Sequence, residues 1–306
     1  MVERNIGLTV FCHALLLLGG ALVFIPLYFV FVAGSLTMQE LHQVPFPLLP
    51  GGHFLDNVTE AWNAGNFSRL YLNSLIVTVG IVVGKIAISL LAAFAITYFR
   101  FPFRMTVFWL IFVSLMLPVE VRIIPTYEAV ADVASPVRWL LGALGLSGSI
   151  ESLTGYSIET SLHWNLVNTY SGLILPLIAS ASATFLFRQF FLTVPDELCE
   201  AARIDGAGPI KFFFDILLPL AKSNIAALAI ILFIYGWNQY LWPLLFTTDK
   251  DMATAILGLK LLVPSQDSDP TWNLAMSGAL FVMLPPTAVI LVMQRWFTKG
   301  LVDAGK

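Results

Sequence analysis

The apolar residues of this chain fall in runs of about twenty or more, the length of helix that a bilayer's hydrocarbon core requires. In lipid every backbone N–H and C=O must be bonded within the protein, which leaves helices or a closed barrel. The runs lack the period-two alternation of barrel strands, so they are read as helices. Six spans are expected, over residues 6–34, 71–99, 105–130, 167–190, 224–246 and 273–294. Only 11% of the 306 residues are charged, against roughly 25% in soluble domains, so the fold class is an all-α integral membrane protein. Trp272 and Trp296 bracket the last run 24 residues apart, about 36 Å of helix at 1.5 Å per residue, which sets one indole near each interface.

Sidedness is set by the basic residues. Arg4, Arg100, Arg104, Arg188, Arg203, Lys211, Lys222, Arg295, Lys299 and Lys306 fall on one side of a six-span arrangement. Arg122, Arg138, Lys250 and Lys260 fall on the other, with Arg69 at its edge. Both termini are therefore expected in the cytoplasm. Glu40, Asp56, Glu60, Asp132, Glu151, Glu159, Asp249, Asp251, Asp267 and Asp269 collect outside, a distribution that argues against nucleic acid as a partner. The first run exceeds a signal-peptide core and is expected to stay as an uncleaved helix. Cys12 in that run and Cys199 in a cytoplasmic loop cannot pair with each other, and no metal-site spacing is present.

The whole chain is read as one transmembrane domain, 1–306. The external segment 131–166 contains VRWLLGALGLSGS, too short to cross and read as an interfacial helix. A seventh crossing there would move Arg188, Arg203, Lys211 and Lys222 outside. The longest cytoplasmic segment runs from about 191 to 223, too short for a domain of its own. Gly84-Lys85 is the nearest approach to a P-loop, but Val79 stands where the first glycine is needed and Ile86 replaces the Ser/Thr. No ATP site is expected in this chain. Gly80 and Gly84 instead form GxxxG, a pattern for close helix packing.

EAARIDGAGPIKFFFDILLP, 200–219, is the most polar part of this cytoplasmic segment, and residues 193–219 read as a helical hairpin. Thr193 and Asp196 stand at capping-box spacing and Pro195 suits a first turn. Asp196, Glu197 and Glu200 favour the positive end of the helix dipole. Gly206 suits a left-handed C-cap, and Gly208-Pro209 restarts the chain as a second helix ending near Pro219. Ala201 and Ala202 are expected at its apex, where small side chains permit close docking. On this punctuation alone the segment could equally be a solvated loop.

Glu200-Ala201-Ala202, three residues, Gly206, nine residues, then Ile216-x-Leu218-Pro219 matches the EAA signature at every fixed position. In this the chain resembles the membrane subunits of binding-protein-dependent ABC importers. LPVEVRIIPT, FRFPFR, FLFRQFFLTVPDEL, FIYGWNQYLWPLL and VMQRWFTKGLVDAGK extend the resemblance to the carbohydrate-uptake branch, with 131–166 as an insertion. The resemblance implies a type I importer permease fold and a non-enzymatic subunit of the bacterial inner membrane. It also implies a second permease partner, two ATPase copies that hold the ATP and magnesium, and a soluble binding protein outside. Glu200, Ala201, Ala202, Arg203, Asp205, Gly206 and Pro219 would form the coupling element, and the tail from Arg295 would assist docking. Within the branch, a cargo of sn-glycerol-3-phosphate or a glycerophosphodiester is expected, with a neutral sugar or polyol as the alternative.

Pathway residues are sought among polar groups at membrane depth, where a charge costs at least ~2.5 to 3.5 kcal/mol on insertion scales. Lys85 is one: it either attracts an anionic cargo or pairs with a carboxylate or helix C-terminus. Arg122, with Glu120 between Pro118 and Pro125, suits a phosphate-bearing cargo through charge-assisted hydrogen bonds, or pairs internally. Trp237, Asn238 and Gln239 place an indole and two amides inside the fifth span, while Trp242 and Pro243 are read as packing residues. A proton-coupled secondary transporter would usually carry an intramembrane carboxylate or histidine, and spans two, four, five and six contain no Asp or Glu. His13, His42, His53 and His163 are scattered, and their spacing supports no catalytic triad.

Overall fold

The computed structural model describes residues 6–114, 117, 119–157, 162–263 and 271–303. Arg4, Pro118, Glu159, Asp267, Asp269, Lys306, the Glu120 side chain and the side chains from Arg295 onward lie outside the described residues. All regular structure among the described residues is helical. In chain order the helices are α1 (Ile6–Ser35), α2 (Met38–Leu41), α3 (Phe54–Ala64), α4 (Phe67–Tyr98), α5 (Arg104–Val113) and α6 (Val119–Ala131). They continue with α7 (Ser135–Ala143), α8 (Leu146–Thr154), α9 (Tyr170–Ile174), α10 (Ala181–Thr193), α11 (Asp196–Ile204) and α12 (Pro209–Phe212). The last are α13 (Leu218–Leu220), α14 (Lys222–Trp237), α15 (Leu241–Phe246), α16 (Ala255–Leu262) and α17 (Trp272–Asp303).

Three stretches, Ile6–Ser35, Phe67–Tyr98 and Trp272–Gln294, are single helices long and apolar enough to cross a membrane. Other expected spans are interrupted. The third divides into α5 and α6. The fourth bends by 49° between Tyr170–Leu177 and Ala181–Thr193, and the hairpin limb Pro209–Leu220 meets α14 at 72°. The fifth breaks again after Trp237. Local causes are visible at the bend of the fourth. Pro176 tightens its turn into a 3-10 segment, Leu175–Leu177. Ser180 then opens α10 as an N-cap: its hydroxyl accepts from the Ala183 N–H at 3.3 Å, and the Ser89 hydroxyl donates to the Ser180 carbonyl at 3.3 Å. Irregular backbone at membrane depth needs such partners.

The contacts divide into two compact units. The first comprises residues 1–70 and 255–285. Its polar centre is Asn57, whose Nδ2 donates to the Gly34 and Leu36 carbonyls at 2.9 Å while its Oδ1 accepts from Asn273 at 3.0 Å. Ser277 donates to the same Gly34 carbonyl at 2.9 Å, so the end of α1 and the start of α17 are joined through one acceptor. Phe67 meets Phe281 edge-on at 4.7 Å beside Trp62. Thr37 and Glu40 form the capping box of α2, and those hydrogen bonds hold the Glu40 carboxyl below the usual carboxylate range. Most of α1 is exposed, as a lipid-facing helix requires.

The second unit comprises residues 71–254 and 286–306. It has two apolar clusters joined by α4. One gathers Val77 and Ile81 with Val130, Leu173, Trp242 and Phe246. The other gathers Leu90 and Phe94 with Phe187, Phe191, Phe212 and Leu217. Lys85 lies on α4 between the two. GxxxG packs as expected for close approach: Gly80 receives Ile174 and Gly84 receives Ile178.

The expected single interfacial helix is two short helices, α7 and α8, because Gly145 at φ 68° ends the first and turns the chain. The base of this segment is tied by Val133 N–H to the Trp164 carbonyl and Leu166 N–H to the Val130 carbonyl, both at 3.0 Å. Arg138 forms a two-armed pair with Asp132 and also donates to the Leu162 carbonyl at 2.6 Å. Arg138 holds the Asp132 carboxyl below its ordinary range.

Candidate functional site

The hairpin is built by two backbone devices. After α11, Gly206 adopts φ 72°; its N–H donates to the Arg203 carbonyl at 3.1 Å and the Ala207 N–H donates to the Ala202 carbonyl at 2.8 Å. That pair of bonds is a Schellman motif, which glycine enters without a Cβ penalty. After α12, the Leu218 N–H reaches back five residues to the Phe213 carbonyl, so Phe213–Leu217 is a π-helical turn. The cause is Pro219, whose ring would press on the Asp215 carbonyl in a regular helix; the wider turn relieves it.

Two local expectations need correction. Thr193 does not cap α11: its hydroxyl donates to the Phe190 carbonyl at 2.7 Å, within the last turn of α10. Val194, extended because it precedes Pro195, separates the helices, and Pro195 takes the N-cap position. Nor do both alanines face outward. Ala201 is exposed, whereas Ala202 is only 4% exposed and packs in the cluster with Phe212 and Phe187. The outward surface carries Arg203, Asp205 and Gly206 along with Glu200, and Ile204 and Ile210 are 85% and 74% exposed on either side of the turn. A cavity of about 260 Å³ separates this hairpin from the end of α4, lined in part by Tyr98, Arg100, Cys199 and Arg203.

The polar candidates at membrane depth come together only in part. Lys85, 7% exposed, places its ammonium 3.8 Å from the centroid of the Tyr235 ring. Tyr235 also lines a cavity of about 160 Å³ with Arg122, Thr126, Gln239 and Trp242. Thr126 donates to the Arg122 carbonyl at 2.6 Å, and Gln239 Nε2 donates to the Tyr235 carbonyl at 3.0 Å. Among the described residues neither cation forms an ion pair. Trp237, 2% exposed, faces away, stacked on Phe233 and edge-on to Tyr71. Asn238 is exposed at the break after α14, and Trp242 stacks on Phe246 at 3.9 Å.

Residues 85–303 match the family described as the binding-protein-dependent transport system inner membrane component. The chain belongs to this family. The permease is 47% identical, over the full length of both chains, to the sn-glycerol-3-phosphate transport system permease protein UgpE of Yersinia enterocolitica. Proteins of the same name from Pectobacterium atrosepticum and Escherichia coli O1:K1 are 48% and 46% identical, again over both full lengths. In fold, the permease is similar to a chain from the crystal structure of a bacterial ABC transporter involved in import of the acidic polysaccharide alginate. The TM-score is 0.75 at 19% identity, covering 97% of this chain and 99% of that one. The expected ABC importer permease fold and inner-membrane location are therefore established, and the chain is a transport subunit rather than an enzyme.

Sequence reasoning missed Tyr235, Ile204 and Ile210. Tyr235 lies in FIYGW, where an aromatic reads as packing; its position one α14 turn before Gln239 was the available signal. Ile204 lies inside the EAA signature at a variable position, and only the fold reveals that it points outward.

Proposed function

We propose that the chain is one of two different permeases in an ATP-driven importer of sn-glycerol-3-phosphate or a glycerophosphodiester. The observation that carries this reading is the 46–48% identity, over the whole of both chains, to permeases named for sn-glycerol-3-phosphate transport. Six crossings with both termini in the cytoplasm accord with the basic-residue asymmetry and put the hairpin inside. Two ATPase copies bind there and hold ATP and magnesium, while a soluble binding protein delivers cargo from outside.

The hairpin is the coupling element. Glu200, Arg203 and Asp205 supply polar contacts to an ATPase, Ile204 and Ile210 the apolar ones, and Ala201 permits close approach. Ala202, Gly206 and Pro219 act from within by fixing the shape of the lever. Closure of the ATPase pair displaces the hairpin, and the apolar cluster beneath it passes that displacement to α4, α10 and α14. Lys85, Arg122 and Gln239 face the cargo route, Asn238 adjoins it at the break, and Trp237 supports it from behind.

The test is ATP hydrolysis by the reconstituted complex, stimulated by its binding protein with each of a panel of ligands. Stimulation by phosphorylated glycerol compounds is expected. Stimulation by a sugar alone would assign a neutral cargo, and transport by the purified chain without an ATPase would overturn the importer reading.

A further inference from the structure

Two cations border one small cavity, one lining it and one behind its wall, with no bonded carboxylate among the described residues. Arg122 lines the cavity; Lys85 sits against its Tyr235 wall, nine-tenths buried. The flank beside Lys85 is sealed, since Gly84 is packed on Ile178. Like charges held this way in a membrane are costly, and that cost is offset when a ligand supplies the missing negative charge.

We infer that Lys85, Arg122 and Tyr235 form a phosphate subsite whose two positive charges match a phosphomonoester in preference to a phosphodiester. The inference rests on the proposed phosphorylated cargo and sharpens it. At pH 7 a phosphomonoester carries about −1.5 to −2 charges. A diester carries a single charge and leaves one cation uncompensated, and a neutral polyol leaves both. The cavity, about 160 Å³, is below the roughly 300 to 1,000 Å³ usual for drug-sized ligands, so it suits a small headgroup.

Tyr235 gives the site an empty state. With no anion present, the ring face attracts the Lys85 ammonium and keeps it from lipid. A charge-assisted hydrogen bond to phosphate is stronger than that contact, so arriving cargo draws the ammonium off the ring. Gln239 steadies the platform through its bond to the Tyr235 carbonyl. Thr126 adds a hydroxyl to the cavity lining.

The experiment uses the complete transporter in proteoliposomes with its binding protein, and compares uptake of sn-glycerol-3-phosphate with that of a glycerophosphodiester. Every variant shares one binding protein, so a change in the monoester-to-diester ratio originates in the permease. Lys85→Met and Arg122→Gln should each lower monoester uptake by about tenfold, the worth of a hydrogen bond to a charged group, and lower diester uptake less. Lys85→Arg and Tyr235→Phe should retain the ratio, and Tyr235→Leu should lower it. Thermal unfolding separates roles: removing the buried, unpaired Lys85 charge should leave Tm unchanged or raised and removing the exposed Arg122 charge should leave it unchanged, whereas loss of a structural pair would depress it. An unchanged ratio in Lys85→Met and Arg122→Gln, or a depressed Tm in both, overturns the subsite. If Lys85→Met does not assemble, Arg122→Gln and Tyr235→Leu decide. Failure of the wild type to take up any phosphorylated compound overturns the cargo reading instead.

Discussion

Gly84 and Ile178 meet with no space for another carbon: a Cβ on Gly84 would stand 2.4 Å from Ile178 Cγ2 and 3.0 Å from its Cβ. One turn earlier, a Cβ on Gly80 would stand 2.5 Å from Ile174 Cδ1, the swinging end of that side chain. Gly84→Ala should therefore destabilise more than Gly80→Ala, by about 1 to 3 kcal/mol, because a branch point beside the backbone cannot move aside. Thermal unfolding in detergent measures the difference. Ile178→Ala should recover stability in the Gly84→Ala background.

Gly206 has open space around it and a φ of 72°, so a side chain there meets strain but no clash. Gly206→Leu should cost about 1 to 2 kcal/mol locally, and Gly206→Asn less. The leucine variant should remain inserted while ATP hydrolysis proceeds without uptake. Cargo transported per ATP hydrolysed is the measurement, and normal uptake would contradict the lever role.

The two alanines of the signature should separate by phenotype. Ala202→Leu overfills the cluster beneath the hairpin and should lower stability by about 1 to 3 kcal/mol. Ala201→Leu should leave unfolding unchanged and weaken association with the ATPase. Ile204→Asp, at the most exposed apolar position of α11, should do the same. Copurification of the ATPase with each variant distinguishes them.

The Asp132–Arg138 pair makes the segment that carries α7 and α8 pH-sensitive. The folded Asp132 carboxyl titrates below its unfolded value of about 3.9, so the stabilisation is fully present above that value. It is lost as pH falls through the lower, folded value. Protease cleavage within α7 and α8 should rise only in that acidic window, and Asp132→Asn should show raised cleavage already at neutral pH.

Local chemistry makes much of this legible in the sequence. Gly206 and Pro209 announce a turn because few backbones suit them elsewhere, and runs of apolar residues announce helices because lipid offers no alternative partner. The breaks are not legible. Hydropathy reports the transfer of side chains and is silent on whether a neighbouring Ser89 can serve an interrupted backbone at Ser180. Small size is what suggests that Ala202 lies outward with Ala201, and size does not say which neighbour covers either. Lys85 and Arg122 each stand out as charges in apolar surroundings, but nothing in their spacing signals that the ring beside Lys85, Tyr235, also lines the cavity that Arg122 lines.

The wide turn at Phe213–Leu217 holds one residue more than a regular helical turn, shortly before the chain enters α14. Winding the same residues at ordinary pitch would rotate α14 by about 100°. Tyr235 would leave Lys85, and Gly236 would leave Thr78, whose Cα lies 3.3 Å from where its Cβ would be. The turn thus acts as an indexing pin: it sets the angular phase between the hairpin and the face of α14 that carries Tyr235, so neither can be retimed without the other.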